Sequence, residues 1–202
     1  MHQTRAVLSG FFNLHENHVP MSRVNIQPGF YLQSLGMEHT EIVYEAIDKN
    51  RDHLSRWLPF VSFTRKPEDT EEFISSVINK KPHEKEEVFT IWHDEEFAGL
   101  VGYVNTDRVN RKTEIGYWLV KNKEGKGIVT EATRRLIKLA FKRLDMNRIT
   151  IRCAVGNSRS SAIPKRLGFT FEGIERQGEK HGEIYFDLET YSLLKNEWKK
   201  LG

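Results

Sequence analysis

The run from Tyr117 to Phe141, YWLVKNKEGKGIVTEATRRLIKLAF, limits the possible folds more than any other part of the chain. It passes from strand to glycine loop to amphipathic helix without interruption. A loop carrying Gly125 and Gly127 lets the backbone come close to a ligand. The helix that follows aims its unpaired N–H groups and positive dipole end at the same place. That is an anion seat, and a pyrophosphate suits it. Charge is gathered there: from Lys121 to Arg152 there are 10 Lys and Arg against 3 Asp and Glu, a local balance of +7 in a chain whose total is +3. Gly-x-Gly alone is a weak signal, so its meaning depends on what lies downstream.

A chain of 202 residues fits one ordinary domain that buries a core without disulfides or a structural metal. Its single cysteine, Cys153, excludes an internal disulfide framework and suits a reducing cytoplasm. No run of about 18 apolar residues is available to span a membrane. The small total charge, without basic-aromatic interleaving, argues against a direct nucleic-acid site. The eight histidines do not combine with the lone cysteine into a metal pattern. His15 and His18 lie close together, but in a segment that reads as a leader. Residues 1–20 have no organised apolar periodicity, and the Val7–Phe12 run is too brief for a signal-peptide core. The expectation is a flexible or non-native leader over 1–20, one domain over 21–202, and folded sequence from about Val24.

Along that domain, Gly29 to Leu35 has strand composition. Met37 to Asp52 has helical apolar spacing at Ile42, Val43, Ala46 and Ile47, with Thr40 as N-cap. An aromatic loop follows at Arg56–Phe60. The next helix is expected over Pro67–Lys80, burying Phe73, Ile74, Val77 and Ile78. Val88–Trp92 and Phe97–Val104 read as a hairpin about the turn His93–Glu96, and Thr113–Val120 as the strand before the glycine loop. Helical spacing recurs at Ile128, Ala132, Leu136, Leu139 and Ala140. Alternation at Ile149, Ile151, Cys153 and Val155 marks a further strand. Two final strands, Thr170–Glu175 and Ile184–Leu194, flank a polar segment, Arg176–Glu183. The helix between strands 113–120 and 147–155 has the length of a parallel crossover, which puts a ligand site beyond the carboxyl ends of both strands.

The second of those ends carries Asn157-Ser158-Arg159-Ser160, followed by Leu167-Gly168-Phe169 and Glu172-Gly173. With Glu131-Ala132 after the glycine loop, these elements resemble the GNAT acetyltransferases from about Gly29 onward, in particular the RimJ/RimL branch that acetylates protein N-termini. The resemblance implies a single α/β domain with a mixed, largely antiparallel sheet flanked by helices. Its parallel strands would splay at an acetyl-CoA site. The family's Gln/Arg-x-x-Gly-x-Gly/Ala loop falls on Asn122, Lys123, Glu124, Gly125, Lys126 and Gly127. Backbone amides there, with those of Ile128 and Val129, would cradle the CoA pyrophosphate. Asn122 departs from the usual Gln or Arg, which leaves the backbone cradle intact. The resemblance further implies pantetheine pairing by the backbone near Trp118, Leu119 and Val120, with the Leu119 amide polarising the thioester carbonyl. It makes Asn157 a pantetheine contact and Ser160 a neighbour of the sulfur.

Acyl transfer to an amine needs a neutral nucleophile, a donor for the developing oxyanion and, optionally, a proton source for the departing thiolate. By resemblance, Glu179 is the base. Each assignment has a structural competitor: Asn157 and Ser158 as helix caps, Ser160 as a hydroxyl bonded to backbone, Glu179 as a solvated carboxylate. Glu114 is the rival base and is expected to form a structural pair. Tyr185 is a lesser candidate near the sulfur. Cys153 reads as a packed thiol, and Trp57 and Phe60 as core before substrate wall. Pro164 cannot donate the helical bond that normally reaches the Ser160 carbonyl, which leaves that carbonyl to face either cofactor or solvent.

The resulting expectation is an acetyl-CoA-dependent N-acetyltransferase without a metal. Its acceptor would be a protein N-terminal amine, such as that of a ribosomal protein, attacked directly in a ternary complex. A small amine such as a polyamine or aminoglycoside is the enzymatic alternative, and a non-catalytic acyl-CoA sensor the other. Related enzymes often dimerise, so the resemblance also admits a homodimer.

Overall fold

The computed structural model describes residues 23–80 and 87–200. The expected leader, with His15 and His18, lies outside them. One sheet runs through the molecule in the order β1-β2-β3-β4-β5-β6-β8-β7. Its strands are β1 (Val24–Gln27), β2 (Phe30–Ser34), β3 (Val88–His93), β4 (Glu96–Asp107), β5 (Lys112–Leu119), β6 (Arg148–Ala154), β7 (Thr170–His181) and β8 (Ile184–Leu194). Every neighbouring pair is antiparallel except β5 with β6. The helices are α1 (Thr40–Lys49), α2 (Arg51–Leu54), α3 (Pro67–Ile78), α4 (Ile128–Lys142), α5 (Ser158–Arg166) and α6 (Lys195–Trp198).

Helix α4 is the crossover that a parallel pair requires, and its apolar stripe is why it lies against the sheet. Ile128, Ala132, Leu136, Ile137, Ala140 and Phe141 are buried with Ile115, Ile149, Ile151 and Tyr191 of the strands. At roughly 1.5–3 kcal/mol for each large aliphatic or aromatic side chain buried, this helix is a main source of stability for its side of the sheet. A second core on the opposite face joins Val43, Ile47, Leu54 and Ile74 to Leu35, Phe97, Leu100, Trp118 and Val120. It contains no residue of β6, β7 or β8.

Four expectations are corrected. Met37–Asp52 is not one helix: a 3-10 turn (Met37–His39), α1 and α2 follow one another, and Asn50, whose Nδ2 bonds the Ala46 carbonyl, ends α1. The N-cap of α1 is His39; Thr40 is already helical and turns its hydroxyl back to the Met37 carbonyl. Phe73 is exposed, while Ile74 and Val77 alone of the expected four are fully buried. The polar segment Arg176–Glu183 is strand as far as His181, with β7 kinked by irregular pairing between Glu175 and Glu179. Beyond these, β1 is an extra strand ahead of β2, set by the turn at Gly29, whose φ is +77°.

Candidate active site

β5 and β6 pair only at Lys112–Arg148, Thr113–Ile149 and Glu114–Thr150. Beyond Glu114 the two strands part, and both run on toward the same edge. The register of β5 on β4 decides which backbone groups face the gap. Leu119 lies opposite Gly99, and the amide of the next residue, Val120, bonds the Ala98 carbonyl at 2.9 Å. Leu119 is therefore a non-hydrogen-bonded position of that ladder, and its N–H points away from β4 into the opening. Val120 is corrected as a pantetheine-pairing residue. Its N–H is engaged by Ala98, its carbonyl accepts from Lys123 N, and its side chain is core. Trp118 is corrected likewise, because its backbone faces β4. The carbonyl runs so close to Gly99 that a Cβ there would sit 2.0 Å from it, and the indole is buried in the second core.

The glycine loop follows. Gly125 and Gly127 both have φ +75°, a conformation that L side chains avoid, and a Cβ at either would meet nothing within 4 Å. Gly127 is the N-cap of α4, and the first helical bond runs from Glu131 N to the Gly127 carbonyl at 3.1 Å. The amides of Ile128, Val129 and Thr130 stand ahead of it. An open approach, successive amides at the start of a 15-residue helix and the exposed Lys126 fit a pyrophosphate. Thr130 adds one amide to those expected from sequence. Asn122 is exposed on the 3-10 turn Lys121–Lys123.

Side-chain contacts that no sequence pattern marks hold this loop at three points. Asn50 Oδ1 accepts from Lys121 N at 3.0 Å. Lys123 is buried, and its Nζ reaches His93 Nδ1 at 3.0 Å and Glu96 Oε2 at 2.5 Å. Glu124 joins His53 at 3.1 Å and Arg159 of α5. Lys123 thus turns away from the seat it was counted toward. Arg148 and Arg152 are likewise paired with carboxylates elsewhere on the sheet. The local +7 overstates the field at the loop for this reason.

On the other side of the gap, Asn157 caps α5, its Oδ1 accepting from Ser160 N at 3.2 Å, so the capping reading describes what its oxygen does. Its Nδ2 is the part left for a ligand. Ser160 is half-buried. Its hydroxyl lies 3.2 Å from Cys153 Sγ and 3.3 Å from the Tyr117 hydroxyl of β5. Burial pushes the Cys153 thiol up to about 11 and the Tyr117 phenol far above its ordinary value, so both are neutral. Cys153 is packed, as expected, yet it touches the candidate acid.

Glu179 lies in β7 opposite Phe186, just past the point where β6 leaves β8, and so overhangs the open edge. Its Oε2 is 2.6 Å from His181 Nε2. Glu114 forms the structural pair, with Arg152 Nε at 3.0 Å and Asn105 Nδ2 at 3.3 Å. Tyr185 is exposed beneath Lys180. Phe60 packs against Trp118 in the second core. Trp57 is half-buried, with its ring tip beside Gly156, where β6 gives way to α5.

A sheet opened between two parallel strands above a helix N-terminus defines the class of α/β proteins with an anion seat beside a split in the sheet. The pattern of the Acetyltransferase (GNAT) domain matches residues 30–170, and the chain belongs to that family. It falls in the RimJ/RimL-like branch. It is 38% identical over 172 residues to "Putative ribosomal N-acetyltransferase YdaF" of Bacillus subtilis (strain 168), covering 83% of this chain and 92% of that one. It is 27% identical over 171 residues to the ribosomal-protein-serine acetyltransferase of Escherichia coli (strain K12), covering 85% and 96%. Among solved structures, the microcin C7 self-immunity acetyltransferase MccE in complex with acetyl-CoA and AMP superposes with a TM-score of 0.79 at 29% identity, covering 84% of this chain and 94% of that one.

Proposed function

We propose that this enzyme transfers acetyl from acetyl-CoA to a protein N-terminal α-amine, that of a ribosomal protein being the leading acceptor, by direct attack in a ternary complex. The observation that carries the reading is the Leu119 N–H, turned into the opening of the sheet on the edge that also bears Ser160. The relatives that act on ribosomal proteins supply the acceptor class.

Acetyl-CoA supplies an activated acyl group and a thiol leaving group. The amides from Gly125 to Thr130 and the side chain of Lys126 hold its pyrophosphate, and the Nδ2 of Asn157 is available to its pantetheine. Leu119 N–H donates to the oxygen on which charge develops, a contact already oriented by the β4–β5 ladder. Ser160 Oγ gives its proton to the departing sulfur and is reprotonated through solvent, which carries back the proton taken from the amine. Glu179 takes the proton of the attacking amine, directly or through water.

The test is incubation with acetyl-CoA and synthetic N-terminal peptides of ribosomal proteins, each also made with a blocked α-amine, read by intact mass. Acetylation that disappears with the α-amine block is the expected outcome. Transfer to polyamines or aminoglycosides without transfer to peptides would move the acceptor to the small-amine class. Stoichiometric coenzyme binding with no transfer to any acceptor would make the protein a sensor.

A further inference from the structure

We infer that Tyr117 is the positioning residue for Ser160, and that Pro164 makes this possible by leaving the Ser160 carbonyl without its helical partner. In a regular helix that carbonyl accepts from the N–H of residue 164. Proline has none. Pro164 is buried inside α5. The carbonyl is answered from within the chain, by a partner that was not among the two options open at the level of sequence. It accepts from the Tyr117 hydroxyl at 3.2 Å.

The same phenol oxygen accepts from Ser160 Oγ at 3.3 Å. A hydroxyl has one proton to give and lone pairs to receive, so Tyr117 gives to the carbonyl and receives from the side chain of one residue. Two contacts from one rigid phenol orient the backbone of Ser160 and place its side-chain oxygen, and the hydroxyl swings its one proton from the phenol to the sulfur as the thiolate departs. The link also spans the gap. Tyr117 is on β5 past the split and Ser160 is on the helix after β6, so it sets the distance between the wall bearing the Leu119 amide and the wall bearing the acid. Tyr117 and Leu119 share a strand two residues apart and point their side chains to the same face. A shift in one wall is therefore felt by both catalytic groups. The alternative partner of Ser160 Oγ, Cys153 Sγ, is a weak acceptor and cannot fix the hydroxyl alone.

This inference rests on reading Ser160 as the proton donor, and the variants separate the two. Tyr117→Phe removes the phenol. Pro164→Ala returns an N–H that competes for the Ser160 carbonyl. Each should lower kcat about tenfold, as a misplaced catalytic group does, with KM for acetyl-CoA within about twofold. The double variant should be no worse than the poorer single. A crystal structure of Pro164→Ala should show the residue 164 amide on the Ser160 carbonyl and the phenol released, and its melting temperature should not fall. In a Ser160→Ala background neither change should cost anything further. Wild-type kcat in Pro164→Ala or Tyr117→Phe, losses that multiply in the double, or a phenol still bonded to the carbonyl in Pro164→Ala would overturn the inference. Wild-type turnover in Ser160→Ala would instead reject Ser160 as the acid, and the inference with it.

Discussion

At the scale of single residues, Gly127 carries the most testable load. Its φ of +75° and its N-cap position make glycine the residue of choice, and a side chain there would project into open space in front of the helix amides. Gly127→Ala should cost roughly 1 kcal/mol of stability through backbone strain. Gly127→Glu adds a negative charge where a pyrophosphate must approach and should weaken acetyl-CoA at least tenfold by calorimetry in a protein that still folds. Unchanged affinity in that variant would remove the loop from the site. This residue was legible in the sequence because a glycine's role follows from the backbone it permits. Lys123 was not. Counting charge cannot tell which way a long side chain turns, and this one turns inward to His93 and Glu96. Pro164 falls between the two: the missing N–H could be read from its identity, but the partner that answers it, Tyr117, is distant in sequence and appears only when β5 and α5 meet.

At the scale of elements, the glycine loop is a braced segment. Lys121 is tied to the end of α1, Lys123 to the β3–β4 hairpin, and Glu124 to α2 and α5. Preorganised amides bind an anion better than amides that must first be ordered, because the ordering entropy is already spent. Lys123→Met should therefore lower acetyl-CoA affinity about tenfold, although this side chain faces away from the seat. Glu96→Gln should reproduce part of the loss, and the two together should not add. If Lys123 instead touched phosphate, its removal would weaken the salt dependence of binding and leave Glu96→Gln neutral. Element types were legible wherever apolar period was strong, as in α4 and β6. The β7–β8 hairpin was truncated at Glu175 because its outer residues are exposed and polar, with no alternation to mark a strand. Pairing with β8 makes β7 a strand there, and local pattern does not encode pairing.

At the scale of the whole molecule, the two faces of the sheet are held by different physics. Apolar cores cover both faces of β2–β5, but over β6, β7 and β8 the face opposite α4 carries ionic rungs in place of a core. Glu114 of β5, Arg152 of β6 and Glu175 of β7 form one rung. Arg148 of β6 and Glu172 of β7, with Ser192 of the intervening β8, form the other. The Arg148 guanidinium and the Ser192 hydroxyl hold the Glu172 carboxyl down at about 2. A group whose folded value is depressed contributes stability that is present above its unfolded value and is lost as pH falls through the folded one. The contribution of Glu172 should therefore fade between about pH 4 and pH 2. Glu172 is 37% exposed, so solvent screening reduces the contribution to roughly 1 kcal/mol. Glu172→Gln should cost about that much at neutral pH by urea unfolding and should flatten part of the acid limb, converging on the wild type near pH 2. Because the rung anchors the edge strand that carries Glu179, the same variant should lower kcat/KM for the acceptor and leave acetyl-CoA affinity unchanged. Equal stability of the two proteins at pH 7, with identical acid limbs, would mean that hydrogen bonds along β7 and β8 hold the edge without help from the rung.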